Sequence, residues 1–419
     1  MTALLIDQWI VYALLFISIY FEVFLLTSFI ERKMGGLKIR RQSAQPLPKV
    51  AIVVPCYNEE KTIAATVRSL LALQYDREKL EIIIVDDGST DKTLEIAEEF
   101  VRARPAAGAK HHGIRIFRKE NGGKHTAMNL AIENTSADLI GCLDADSEVA
   151  PGALLAIVPV FGNPLVAAAT PGIHVREPKT LLQWMQYVEY RLSIFNRFAL
   201  AAKGSTFITP GPFSLFRAAT VRSLGKWRHA HATEDMEMAL RIQAAGFLIA
   251  NVPEAVVHTT TPGTLSALFR QRVRWTYGWL RNAIDYRYMF GNRAYGNLGL
   301  IILPAAIVSI FAGIYFFARL VFFTLLSLFE TIDRVSATGI YPHASFDIFY
   351  LSTSVIWFLI FMSVGLMFGL LCAGTMIGTD KRLPPPATPL FLFFYSFIVP
   401  LWLGTAVVRA ALKTGVRWR

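Results

Sequence analysis

The chain has 419 residues, 53% of them hydrophobic and 17% charged, with a formal net charge of +11. That balance is too apolar for an ordinary soluble enzyme and points to membrane spans. The excess of positive charge comes without zinc-ligand spacing or a basic aromatic motif, so nucleic acid is not the expected partner; charge beside a lipid bilayer and a site for a phosphorylated substrate explain it better. The three cysteines, Cys56, Cys142 and Cys372, show no pairing or metal spacing and read as small reduced hydrophobes.

Trp9 to Ile30 is apolar apart from Glu22 and a few hydroxyls, and about twenty residues suffice to cross a bilayer core. The stretch is too long for a signal-peptide core and lacks a small-residue cleavage site, which predicts a retained anchor over residues 1–31. Arg32, Lys33, Lys38, Arg40 and Arg41 follow it and only Asp7 precedes it. The positive-inside rule therefore puts the next domain on the cytoplasmic side of a cell membrane. Glu22 is costly inside the span unless it faces protein, so it is expected to pack against another span.

After the linker Pro46-Leu47-Pro48, strands and helices alternate. Val50–Pro55 reads as a buried strand and Glu59–Leu73 as a helix with Ile63, Val67, Leu70 and Leu71 on one side. Glu81–Val85 is a second strand, ending in Asp86-Asp87-Gly88-Ser89-Thr90-Asp91, where Ser89 or Thr90 would cap the helix that runs to Phe100. Ile114–Phe117 is a third strand, Gly122-Gly123-Lys124 opens a helix through Ala131, and Leu139–Leu143 is a fourth strand. This alternation predicts an α/β fold, a parallel sheet with helices on both faces. No Gly-x-Gly-x-x-Gly follows the first strand and no Walker lysine is present, so neither a dinucleotide fold nor a P-loop is expected.

Acids end two of these strands: Asp86 and Asp87, then Asp144 and Asp146. Open α/β sheets bind ligands outside the carboxyl edge of their strands. The Ala145 spacer lets Asp144 and Asp146 turn to one point, as when a hard divalent cation is shared with phosphate oxygens. Lys124, at a glycine-rich helix start, can meet a diphosphate.

Pro178 to Ala199 is an amphipathic helix with Leu181, Met185, Val188, Leu192 and Phe195 on one face. Trp184, Tyr187, Arg191 and Arg197 flank it as on a membrane surface, though a core-facing helix fits the composition equally. Pro210-Gly211-Pro212 predicts an irregular turn. Thr233 is expected to cap a helix over Asp235–Ala245, with Glu234 and Asp235 suited to its positive start. Gly263 to about Tyr286 is a second amphipathic helix, and on it Gln271, Arg274 and Trp275 share a face by their i, i+3, i+4 spacing. A planar cation can grip a diphosphate and an indole can stack on a sugar ring.

The order of these pieces resembles glycosyltransferase family 2. The matching residues are Val54-Pro55-Cys56-Tyr57-Asn58-Glu59, Val85 to Asp91, Gly123-Lys124-His125-Thr126-Ala127-Met128-Asn129 and Asp144-Ala145-Asp146-Ser147. Four motifs in this order are specific where each alone is weak, and with Gln-x-x-Arg-Trp the resemblance covers roughly Val50 to Arg281. It implies a GT-A-like, mostly parallel sheet. It implies that Asp86 and Asp87 hold the nucleobase and ribose, that Lys124 lies near the nucleotide, and that Asp144 and Asp146 meet the diphosphate and its Mg2+ or Mn2+, with Asp146 the principal ligand. His125-Thr126 departs from the small residues common there, and Pro210-Gly211-Pro212 is a local variation where the family lines its acceptor site. Displacement at an anomeric carbon needs one general base and charge stabilisation for the leaving diphosphate, where a glycosidase would need two carboxylates flanking the bond. Thr233-Glu234-Asp235 looks like the family's base motif, which makes Asp235 the base and Glu234 an acceptor-side residue. Gln271-Arg272-Val273-Arg274-Trp275 resembles the signature of the processive branch, the cellulose, chitin, hyaluronan and poly-N-acetylglucosamine synthases. Gln271 and Arg274 would then face the nucleotide sugar and Trp275 the acceptor.

Leu298–Leu328, Ile348–Ile377 and Pro389–Val408 are three further runs long enough to span. With the anchor they predict four spans, yet Arg409, Lys413, Arg417 and Arg419 then crowd an outer carboxyl end, so one run is a candidate for a re-entrant segment or tight hairpin. The expected organisation is an anchor at 1–31, a catalytic domain at 46–260, an interface helix at 261–290 and a membrane region at 297–419. The expected activity is transfer from a UDP-sugar, with UDP-N-acetylglucosamine the first choice by analogy of architecture, to a growing β-linked carbohydrate acceptor, with export a possible coupled step and accessory subunits open. The rivals are a single-addition transferase making a glycolipid, a transporter with a regulatory domain, and a catalytically silent nucleotide-binding scaffold.

Overall fold

The computed structural model describes residues 2–34, 46–102, 113–340, 354–379 and 381–415, with side chains from residue 6. Lys38, Arg40, Arg41, Asp380, Arg417 and Arg419 lie outside these residues. In chain order the elements are α1 (Thr2–Met34), β1 (Val50–Cys56), α2 (Ile63–Leu71), β2 (Leu80–Asp86), α3 (Thr93–Arg102), β3 (Gly113–Arg118), α4 (Lys124–Glu133), β4 (Leu139–Cys142), β5 (Ser147–Val149), α5 (Ala153–Ile157), β6 (Val166–Val175), α6 (Leu181–Ala202), β7 (Ser214–Arg217), α7 (Ala218–Ser223), α8 (Glu234–Ala244), β8 (Leu248–Thr259), α9 (Leu265–Asp285), α10 (Leu303–Thr338), α11 (Val355–Gly378) and α12 (Thr388–Leu412).

Eight strands form one sheet in the order β3-β2-β1-β4-β7-β6-β8-β5. The first four are mutually parallel, as their βαβ spacing requires. The second half is mixed: β7 runs against β4 and β6, β8 runs parallel to β6, and β5 runs against β8. Strand β6 leaves the sheet at the carboxyl edge, and the chain returns to that edge after α6, so β7 runs the other way. Just after Pro210-Gly211-Pro212 the Phe213 amide donates to the Cys142 carbonyl (2.6 Å) at the end of β4. The carboxyl ends of β2, β1 and β4 therefore stand side by side, carrying Asp86, Cys56 and the Asp144 turn. Apolar cores fill both faces of the sheet, and Cys56 and Cys142 sit in them as buried free thiols.

Three local expectations need correction. Helix α2 starts after Thr62, because Asn58 takes a left-handed φ of 56° and Glu59 lies in the turn that follows. At α3, Asp91 accepts from the Thr93 amide (3.0 Å), whereas Ser89 and Thr90 bond across to Asn58. Thr233 precedes α8 without capping it: its hydroxyl donates to the Ala230 carbonyl and accepts from Asn282.

Helix α6, capped by a reciprocal Thr180–Gln183 pair, lies between the sheet and the apolar helices. Its basic side chains face protein. Arg191 is 3% exposed and donates to His174 Nδ1 (2.9 Å), the Tyr187 hydroxyl (2.6 Å) and the Gly378 carbonyl at the end of α11 (3.3 Å). Burial, and then Arg191, holds His174 down at about 3, so its ring is neutral and accepts. Of the two readings of α6 the core-facing one fits. Arg32 likewise docks α1, donating to the carbonyls of Phe198 (2.7 Å) and Asn251 (2.8 Å).

Among the described residues, four helices are long and apolar enough to cross a membrane: Ile6–Met34, Leu298–Thr338, Val355–Gly378 and Thr388–Leu412. Each of the three carboxyl-terminal ones runs as continuous helix over its described residues, Pro400 included. Glu22 does meet another of these helices: Ser363 donates to its carboxylate (3.0 Å).

Candidate active site

The site is built from the carboxyl edge inward. Asp86, fully buried, accepts from the Ser89 amide (3.1 Å), and Arg118 Nε stands 3.5 Å from its other oxygen. Asp87 accepts from the amides of Gly122 (3.1 Å) and Gly123 (2.8 Å) and pairs with Lys119 (2.5 Å). Its carboxylate thus holds the loop that opens α4. Gly123 there takes φ 87°, a conformation that favours glycine. The loop aims Lys124 at Asp144, with Nζ to Oδ1 at 2.5 Å, while Glu234 stands 3.9 Å away.

Lys124 is the meeting point of residues far apart in the chain. Burial opposes its charge, yet Asp144 and Glu234 hold its pKa well above the ordinary lysine value. Above it lies the Pro210-Gly211-Pro212 turn, where a Cβ at Gly211 would strike both Lys124 Nζ and the Asp144 carboxylate. Asp235 is pushed up to about 6 by burial and then by Glu234, with Lys124 and Arg274 opposing the shift. Asp146 rises to about 6 as well, by burial and then by Asp144 and Glu59. The structure so brings Asp144, Asp146, Lys124, Glu234, Asp235 and Arg274 into one electrostatic neighbourhood, with Asp86 and Asp87 at its edge.

The residues fit a divalent cation. Asp144 and Asp146 supply hard oxygen donors, and Asp146 is crowded by like charge that Lys124 only partly offsets. Among the described residues no group of three ligands is ready-made. Two carboxylates with the remaining positions left to phosphate oxygens and water is the usual arrangement for Mg2+ beside a nucleotide.

Helix α9 packs against the segment that leads into α8. Arg274 Nη1 donates to the Ala232 carbonyl (3.2 Å), and Trp275 is 36% exposed. Gln271 accepts from Arg272 (3.2 Å). Arg272 was not singled out from the sequence. It is 4% exposed, lies 4.3 Å from the centre of the Trp275 ring, and pairs with Glu189 of α6 (2.7 Å), which also accepts from Tyr395 of α12 (3.1 Å). Burial opposes its charge, but Glu189 and Tyr190 raise its pKa. The i, i+3 spacing of Arg272 and Trp275 is the one sequence signal for that stack. Lys119 and Glu189 carried none.

The family model described as "Glycosyltransferase like family 2" matches residues 48–278. The chain belongs to that family. Among curated family members, a poly-beta-1,6-N-acetyl-D-glucosamine synthase of Staphylococcus epidermidis is 30% identical over 270 residues, covering 63% of each chain. The synthase of the same name from Staphylococcus aureus strain COL is 33% identical over 235 residues, 55% of each. The match thus spans less than two thirds of either relative. Among solved structures, a mannosyltransferase from Pyrobaculum calidifontis, in complex with GDP-Man and Mn2+, superposes with a TM-score of 0.54 at 17% identity, over 96% of this chain and 99% of that one. At that identity the likeness is one of fold: a GT-A-like mixed sheet with apolar helices.

Proposed function

We propose that this family 2 protein is a membrane-embedded, inverting glycosyltransferase that transfers sugar from a UDP-sugar to the end of a growing β-linked carbohydrate chain. The observation that carries the reading is the convergence on Lys124 of Asp144, from the carboxyl edge of the sheet, and Glu234, from the start of α8. UDP-N-acetylglucosamine is the preferred donor, because the curated relatives are named for N-acetylglucosamine polymers. Residues 46–260 would do the chemistry, 261–290 hold the acceptor side, and 1–31 with 297–419 embed the protein in the cell membrane, catalytic domain inward.

In this mechanism Asp86 meets the nucleoside, while Asp87 fixes the glycine loop and through it Lys124. Asp146, with Asp144, would hold Mg2+ or Mn2+, whose charge stabilises the leaving diphosphate. The mannosyltransferase of similar fold is in complex with GDP-Man and Mn2+, which is in keeping with this. Lys124 and Arg274 add fixed positive charge where negative charge develops. Trp275, stiffened from beneath by Arg272, stacks the acceptor sugar, with Gln271 and Glu234 at its sides. Asp235 takes the proton of the acceptor hydroxyl as that oxygen attacks the anomeric carbon from the face opposite the departing UDP.

The test is to incubate membranes carrying the full chain with a panel of labelled UDP-sugars, with and without Mn2+, and to size the products. A ladder or polymer from one donor is expected. A single glycolipid would replace this reading with one-step transfer, and no UDP release from any donor would end it. Asp235→Asn should lower transfer by about 10²- to 10⁴-fold, the range of a lost general base, and leave UDP binding intact. Retained transfer in that variant would remove Asp235 from its role.

A further inference from the structure

Immediately ahead of Thr233-Glu234-Asp235 stand three consecutive residues in the left-handed region: Ala230 (φ 46°), His231 (φ 54°) and Ala232 (φ 66°). None is glycine. Side-chain-bearing residues enter that region singly and at a steric cost, so a run of three persists only where its surroundings over-determine it. The surroundings here are one stripe of α9. Arg274 Nη1 donates to the Ala232 carbonyl (3.2 Å). Asn282, fully buried, donates to Thr233 Oγ1 (2.9 Å) and to the Ala230 carbonyl (3.4 Å), which also accepts from the Thr233 hydroxyl (3.1 Å). His231 Nε2 meets Asp285 Oδ2 (2.8 Å) at the last turn of the helix. Gly278 permits the approach, because a Cβ there would run into the Thr233 side chain. Positions 274, 278, 282 and 285 follow one another at helical spacing, and Gln271 begins the same stripe.

We propose that Ala230–Ala232 is a strained spacer, and that His231, Asn282 and Asp285 are positioning residues that hold it and so fix where the Asp235 carboxylate stands. This rests on the reading of Asp235 as the base. None of the three touches the reacting atoms. Without their grip the spacer relaxes toward right-handed φ and carries the first turn of α8 away from Lys124. The helix bearing Arg274 and Trp275 is then also the part that places the base, so both sides of the reaction are registered by one rigid element.

The experiment uses the full chain with His231→Ala and Asp285→Ala, each also combined with Ala230→Gly/Ala232→Gly. Both residues are partly exposed, so the variants are expected to fold. Each single variant should lower kcat by about ten- to a hundred-fold with the donor KM unchanged, as a small misplacement of a catalytic group does. Each should also speed amide hydrogen exchange over residues 230–236. The double glycine should restore most of kcat to His231→Ala, because glycine adopts left-handed φ without the steric cost. Unchanged exchange in both variants would overturn the proposal. So would glycines that restore the exchange rates but not kcat, since His231 would then act on substrate. Should the wild type make no product from any UDP-sugar, the function proposed above fails, while exchange at the Asp235 amide still decides whether the clamp exists.

Discussion

Asp235 holds its proton more tightly than an exposed aspartate because burial and Glu234 both disfavour its charge. In its proposed role as the base it works only when deprotonated. Below a pKa of about 6 the carboxyl is protonated and transfer should fall; above it the carboxylate is competent and the rate should level off. A pH profile of kcat/KM checks this, and a rate that stays flat through that range would contradict it. The acids were legible in the sequence because strand ends are local events: an apolar run followed by Asp-Asp or Asp-x-Asp delivers carboxylates to one edge. Arg272 was not legible as a structural residue, because which way it turns on α9 depends on Glu189 and Tyr395, which lie far along the chain. The Ala230–Ala232 turn was hidden for another reason. Left-handed backbone is normally announced by glycine or asparagine, and Ala-His-Ala announces nothing.

At the scale of elements, α6 is the pin between the sheet and the apolar helices. Gly374 and Gly378 of α11 press against it so closely that a Cβ at Gly374 would strike the Arg191 carbonyl, and one at Gly378 would meet Arg191 Nη1 (2.5 Å), Ile194 (3.1 Å) and His174 (3.3 Å). Gly378→Val should therefore destabilise the protein by about 1–3 kcal/mol, the usual cost of overpacking, and displace Arg191 from His174. A thermal melt of the purified protein measures the first effect, and an unchanged melting temperature would mean that α11 docks loosely. Periodicity correctly marked α6 as amphipathic but could not say what lay against its basic side. Apolar protein and lipid ask for the same pattern on a helix, so only the assembled neighbours α1, α11 and α12 separate them. The parallel half of the sheet followed from local alternation. The mixed half did not, because the direction of β7 depends on where the chain returns after the long excursion through α6, which no local pattern records.

For the whole molecule, the long apolar helices and the helix that covers the sheet share a core. Leu25 and Phe29 of α1 pack with Phe195 and Ala199 of α6 and with Leu370 and Ala373 of α11. The Phe29 ring lies 5.6 Å from that of Phe195 and 5.9 Å from that of Phe198, and Arg32 sits 3.8 Å over Phe198. The first helix is thus more than a tether. A trimmed version comprising residues 46–290 alone would leave the ribosome with a bald greasy furrow along α6, and it should clump or cling to chaperones. Supplying residues 1–34 and 297–419 as separate pieces in the same detergent should recover it, and centrifugation of the two preparations would tell. Whoever seeks a water-soluble catalyst from this chain must first redesign that furrow.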